Sequence, residues 1–151
     1  MKTTSISLRN ELPELERLRL FLNETAEALG MDNRVLYRVN LICDELVTNI
    51  ISYGYGEGQE GSRRIEIGLA LNGDVLDISI SDDGIAFNPL NRPEPDVEAS
   101  LEDRKIGGLG IHFAKSLTES KTYARVEGRN ELCLTMRLRQ HEEEEETDEH
   151  C

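Results

Sequence analysis

No stretch of this 151-residue sequence is apolar for long enough to cross a bilayer. Its first ten residues, MKTTSISLRN, lack the apolar core of a secretory signal. A soluble, cytoplasmic protein is the expectation. Cysteine is scarce, and Cys43, Cys133 and Cys151 form an odd set without metal-ligand spacing. Cys43 falls in a helical segment and Cys133 in a strand, where small thiols are expected to be buried, with Cys151 exposed at the end. A reducing compartment suits all three. Positive charge is also short: 17 basic residues face 30 acidic ones, for a net charge of -13. That balance works against sequence-independent binding to nucleic acid or to an anionic membrane. No repeat period appears.

Much of the acidic excess lies in HEEEEETDEH, residues 141–150. Blocks of like charge repel and stay solvated, so residues 140–151 are expected to be a disordered tail. Residues 1–139 suit one domain with one core.

Within that domain the hydrophobic pattern predicts eight elements. Residues 4–9 read as a short strand. Residues 11–29 are rich in helix formers and end at Gly30, a natural C-cap. Asp32 suits the N-cap of a second helix running to about Ser52. YGYGEGQEGS follows as a glycine-rich loop. Residues 64–71 and 75–82 alternate like strands and are joined by NGD, a tight hairpin signal. Residues 83–107 show little periodicity, and a loop that long inside a compact domain is often functional. A helix is expected over 109–120, then two strands, KTYARVE and ELCLTMRL, joined by GRN. The order β α α β β, loop, α β β gives an α+β two-layer sandwich with a mixed, mostly antiparallel sheet.

Three stretches carry polar groups that this scaffold alone does not explain. In DELVTNI, Glu45 and Asn49 are four residues apart and stack on one face of the second helix, at the margin of its apolar stripe. Asp44 and Tyr37 point to the far side. In SDDGIAFNP, Asp82 continues the inward face of Leu76, Ile78 and Ile80, and Gly84 permits close backbone approach. In KIGGLGIHF, glycines precede a helix, where exposed N–H groups suit phosphate. The P-loop pattern GxxxxGKS/T is absent, and so is the preceding strand of a dinucleotide-binding turn.

In this order the three stretches resemble the GHKL ATPase superfamily, and within it the anti-sigma factor serine kinases. The resemblance covers roughly residues 4 to 138, including DELVTNIISYGYG, DDGIAFNP, GGLGIHFAKSL and GRNELCLTMRL. It implies the same two-layer sandwich, with ATP between the helical layer and the long loop as a lid. It assigns Asn49 to Mg2+, Glu45 to the proton of an attacking serine hydroxyl, and Asp82 to the adenine amino group. Gly84 would let the base approach, and Gly108 and Gly110 would offer N–H groups to phosphates. Two positions depart from the family. Ala86 stands where a second glycine is common. Ile106 and Gly107 stand where some relatives have a γ-phosphate arginine, leaving Arg104 or Lys105 for that role.

The implied function is a Mg-ATP-dependent serine kinase and anti-sigma factor. Its substrate would be a STAS-domain anti-anti-sigma protein, with a sigma factor and a second copy of the chain as further partners. The alternative is a non-catalytic ATP-binding module whose nucleotide sets partner choice. A sensor histidine kinase is disfavoured, because all three histidines lie at 112 or later and no helical segment before the domain carries one.

Overall fold

The computed structural model describes residues 2–88 and 118–138. The long loop beyond Asn88, all but the last three residues of the helix expected at 109–120 and the tail at 140–151 lie outside those residues. So do Arg104, Lys105, Gly108, Gly110, His112 and Cys151.

Five strands and two helices make up the described chain: β1 (Lys2–Arg9), α1 (Glu14–Leu29), α2 (Asn33–Tyr53), β2 (Arg64–Asn72), β3 (Val75–Asp82), β4 (Ser120–Val126) and β5 (Arg129–Arg137). The strands form one sheet in the order β1-β2-β3-β5-β4. Every pairing among them is antiparallel, simpler than the mixed sheet expected. The α+β sandwich itself stands.

Period-two alternation explains which face is covered. Ile65, Ile67, Leu69 and Leu71 of β2 point inward, as do Leu76, Ile78 and Ile80 of β3 and Leu132, Leu134 and Met136 of β5. Above them lie Val39, Ile42, Leu46 and Ile50 of α2, with Leu18 and Leu22 of α1. These apolar residues recur every three or four positions, so each helix buries one stripe. Asp32 caps α2 by accepting a hydrogen bond from Val35 N at 2.9 Å. Gly30 ends α1 in the left-handed region, with Met31 N bonded back to the Ala26 carbonyl at 2.9 Å.

Three boundaries differ from the sequence reading, each for a local reason. Helix α1 starts at Glu14 rather than at residue 11, because Pro13 takes the N-cap position and its ring suits only a helix's first turn. The buried Glu14 carboxylate accepts from Arg9 N at 2.8 Å and meets Arg17, which fastens α1 to the end of β1. Thr118 and Glu119 are not helical, and Ser120 already belongs to β4. The third difference bears on function. The β4–β5 turn consists of Glu127 and Gly128, with φ of 52° and 80°. Two consecutive positive φ values are the signature of a tight primed turn that matches strand twist. Arg129 and Asn130 therefore belong to β5, not to the connection.

Cys43 is fully buried in the core, as expected, and burial pushes its thiol up to about 12, with the charge of Asp44 adding to the shift. Cys133 departs from expectation. It alternates with Leu132 and Leu134, so it lies half-buried on the outer face of the sheet.

Candidate functional site

Strand β3 delivers Asp82 as the last inward-facing residue of its row, and the carboxylate is 2% exposed. It would be costly to bury such a charge without partners. Two donors converge on one oxygen: Gly84 N at 2.8 Å and Asn130 Nδ2 at 2.9 Å both bond to Oδ1. The other oxygen, Oδ2, accepts nothing from the described residues. Burial raises the pKa of Asp82 above the ordinary aspartate value, and the neighbouring charge of Asp83 adds to the rise. The hydrogen bonds from Asn130 and Gly84 and the charge of Arg129 oppose it.

Helix α2 delivers the other two polar groups. Glu45 and Asn49 are both buried, at 9% and 2% exposure. The sequence placed them at the margin of the stripe; the structure sinks them further. Asp44 does face out and Tyr37 is 66% exposed, as expected.

What joins the two elements is the end of α2. The Gly54 carbonyl accepts from Ile85 N at 2.8 Å, and the Tyr53 and Phe87 rings meet at 6.3 Å between centroids. The last turn of α2 is thus fastened to the chain just after Asp82. Counting back from Gly54 at 1.5 Å per residue, Asn49 lies about 7.5 Å and Glu45 about 13.5 Å along the helix axis. Going back along α2 from the junction beside Asp82, Asn49 therefore comes first and Glu45 second.

Gly84 has a structural task in addition to the one the resemblance implies. A Cβ placed there would sit 2.3 Å from the Gly54 carbonyl oxygen and 3.1 Å from Asp82 Oδ1. Backbone on backbone cannot yield cheaply, so Gly84→Ala is expected to cost about 1–3 kcal/mol, as overpacking typically does. Urea denaturation of the variant beside wild type measures it; equal midpoints would show that the junction gives way freely. Ala86, by contrast, is exposed, so the methyl that departs from the family pattern meets no crowding from the described core.

Several residues of the site escaped the sequence reading. Tyr123 and Asn130 hold the chain after Asp82: Asn130 Nδ2 donates to the Ile85 carbonyl at 2.7 Å, and Phe87 N donates to both Tyr123 Oη and Asn130 Oδ1 at 3.2 Å. Arg125 donates to the Gly84 carbonyl at 2.7 Å. On the other side, Asp83 accepts from the Tyr55 hydroxyl at 3.2 Å and pairs with Arg63 at 3.2 Å. Burial raises the Tyr55 phenol's pKa, and the charges of Asp82 and Asp83 raise it further. The one available signal for Asn130 was the turn. Reading Glu127–Gly128 as the two-residue connection sets Asn130 opposite Asp82 in register.

Comparison with known proteins agrees with this architecture. Residues 8–137 match the histidine kinase-like ATPase domain. The chain is 28% identical over 102 residues to the serine/threonine-protein kinase BtrW of Bordetella bronchiseptica, covering 68% of this chain and 70% of that one. It is 24% identical over 106 residues to the anti-sigma F factor of Bacillus velezensis, covering 70% of this chain and 69% of that one. A crystal structure of the RsbU and RsbW domains of Rv1364c from Mycobacterium tuberculosis superposes over 91% of this chain with a TM-score of 0.63 at 19% identity. This chain spans 32% of that larger one, and the likeness shows the fold. A match over residues 8–137, on a sandwich with this strand order, places the chain in the family of histidine kinase-like ATPase domains.

Proposed function

We propose that the chain is a Mg-ATP-dependent serine protein kinase and anti-sigma factor of a partner-switching pathway. Its substrate in this reading is a STAS-domain anti-anti-sigma protein, and a sigma factor and a second copy of the chain are further partners. Residues 1–139 form the kinase domain and 140–151 an acidic tail. The observation that carries the reading is the buried Asp82 carboxylate, bonded by the protein on Oδ1 only among the described residues, next to the tied end of the helix that carries Asn49 and Glu45. A nucleotide laid there meets, in turn, a base acceptor, a phosphate-end oxygen ligand and a group for the incoming hydroxyl. The kinase and anti-sigma names of the two relatives support the choice of chemistry.

Each residue then has a defined task. Asp82 Oδ2 accepts from the amino group of adenine, and Gly84 leaves the approach narrow but open. The Asn49 amide oxygen is a hard donor suited to Mg2+. Among the described residues no cluster of three or more His, Cys, Asp or Glu side chains could hold a metal ion. That fits Mg2+, which takes one or two protein ligands and fills the rest with phosphate oxygens and water. When bound, the ion neutralises charge on the phosphates. Glu45 accepts the proton as the serine oxygen bonds to the γ-phosphorus and the bond to the β,γ-bridging oxygen breaks, releasing ADP. Beyond the described residues, Gly108 and Gly110 offer backbone donors to the phosphates, and Arg104 or Lys105 supplies the lid cation.

Calorimetric titration with ATP, with and without Mg2+, tests the binding half of the proposal. Wild type is expected to bind more tightly with Mg2+ present. Asn49→Ala is expected to lose that gain and to match wild type in EDTA. Equal Mg2+ dependence in the two proteins would remove Asn49 from the metal site, and no binding by wild type would overturn the proposal.

A further inference from the structure

Asn130 spends every hydrogen-bonding capacity inside the protein. Its Nδ2 donates to Asp82 Oδ1 and to the Ile85 carbonyl. Its Oδ1 accepts from the Tyr123 hydroxyl and from Phe87 N. A carboxamide has two N–H donors and two acceptor lone pairs, so nothing is left for a ligand. The amide is also locked in one orientation. Turned over, its oxygen would face the Asp82 carboxylate and the Ile85 carbonyl, and its N–H groups would face the N–H of Phe87. The Tyr123 hydroxyl completes the lock by donating to Oδ1 while accepting from Phe87 N.

We propose that Asn130, held by Tyr123, is a positioning residue that makes Asp82 a one-sided acceptor, with Oδ1 saturated by the protein and Oδ2 kept for an amino group on the ligand's base. The inference rests on the nucleotide-binding reading above and adds how the base is chosen. A carboxylate held this way accepts the amino group of adenine. It rejects a base that carries a carbonyl at the same place, because two acceptors then face each other unpaired. Without Asn130 the carboxylate keeps only Gly84 N and can swing about its own axis. It also becomes easier to protonate, since the Asn130 hydrogen bond is what chiefly counters its burial. The Gly84 hydrogen bond and the charge of Arg129 are then left to oppose burial and the charge of Asp83, with Tyr55 close by. With Oδ2 no longer held toward the base, discrimination falls.

The test is calorimetry on the full chain at neutral pH with Mg-ATP and Mg-inosine triphosphate, which carries a carbonyl in place of the amino group. Wild type is expected to prefer ATP. Asn130→Ala is expected to weaken ATP binding about tenfold and to shrink the preference by a similar factor. Tyr123→Phe keeps the ring and removes only the hydroxyl; it is expected to move the preference the same way by about threefold. An equal loss for both nucleotides would show a merely structural role and overturn the inference, as would an unchanged preference. If Asn130→Ala does not fold, Tyr123→Phe decides by the same two criteria. Wild type that binds neither nucleotide overturns the nucleotide reading as well; wild type that binds ATP, with unchanged preference in the variants, overturns this inference alone.

Discussion

Replacing Glu45 by alanine is expected to lower phosphoryl transfer by roughly 10²–10⁴-fold, the usual worth of a general base, while Mg-ATP affinity stays within a few-fold. In the proposed arrangement Glu45 meets the nucleophile and not the nucleotide. Of the two site residues on α2, it is the farther from the Asp82 junction. Asn49→Ala should behave in the opposite way and weaken Mg-dependent ATP binding itself. The two residues share one helix and are both buried, so a general loss of folding cannot produce opposite phenotypes. Single-turnover transfer beside ATP titration of each variant separates them. A Glu45→Ala protein that transfers phosphate at the wild-type rate would remove Glu45 from the chemistry.

The second large effect is expected at Asp82, where binding and stability should move in opposite directions. An asparagine there can still accept from Gly84 N and Asn130 Nδ2 through its carbonyl oxygen. Its amide nitrogen then replaces Oδ2 and points a donor at the adenine amino group. Loss of the charge-assisted bond and the mismatch together are expected to cost about 1–3 kcal/mol of ATP binding, or roughly 5–150-fold in affinity. The raised pKa sets the sign for stability. A carboxyl whose folded pKa lies above its unfolded value stabilises the fold at low pH, and that contribution is lost as pH rises through the folded value. At neutral pH the ionised Asp82 therefore weighs against the fold, because burial is the largest influence on it. Asp82→Asn is expected to melt at a higher temperature than wild type at neutral pH. The gap should narrow as pH falls toward the ordinary aspartate value of 3.8. Thermal melts at several pH values, paired with calorimetry, check both halves. A variant that melts lower and binds ATP unchanged would contradict the account of this carboxylate on both counts.

Most of the scaffold was legible in the sequence because its signals are local. Asp32 and Gly30 mark helix ends by their own side-chain and backbone chemistry. The alternation in β2, β3 and β5 marks the covered face directly. Asp82 was legible for the same reason, as an acid at the end of an inward row. Glu45 and Asn49 stood out by their spacing, though a helical projection cannot say how deeply the sheet lets them sink. The surroundings of Asp82 were not legible, because they are made by register between distant strands. Asn130 meets Asp82 across 48 positions of sequence, and a turn read as ending two residues too late hid it. The tie from Ile85 N to the Gly54 carbonyl is likewise a contact of two backbones, and no side-chain pattern announces it. Glycine at 84 could be read as permissive, but what it makes room for appears only once the end of α2 is in place.

The most direct test of the central claim is transfer of radiolabelled phosphate from γ-labelled ATP to a STAS-domain protein. The account predicts Mg-dependent labelling of a serine on that protein, slowed roughly 10²–10⁴-fold by Glu45→Ala. A chain that binds Mg-ATP with Asp82-dependent affinity, yet labels no serine on any such partner, would contradict the kinase assignment and leave a nucleotide-binding module in its place.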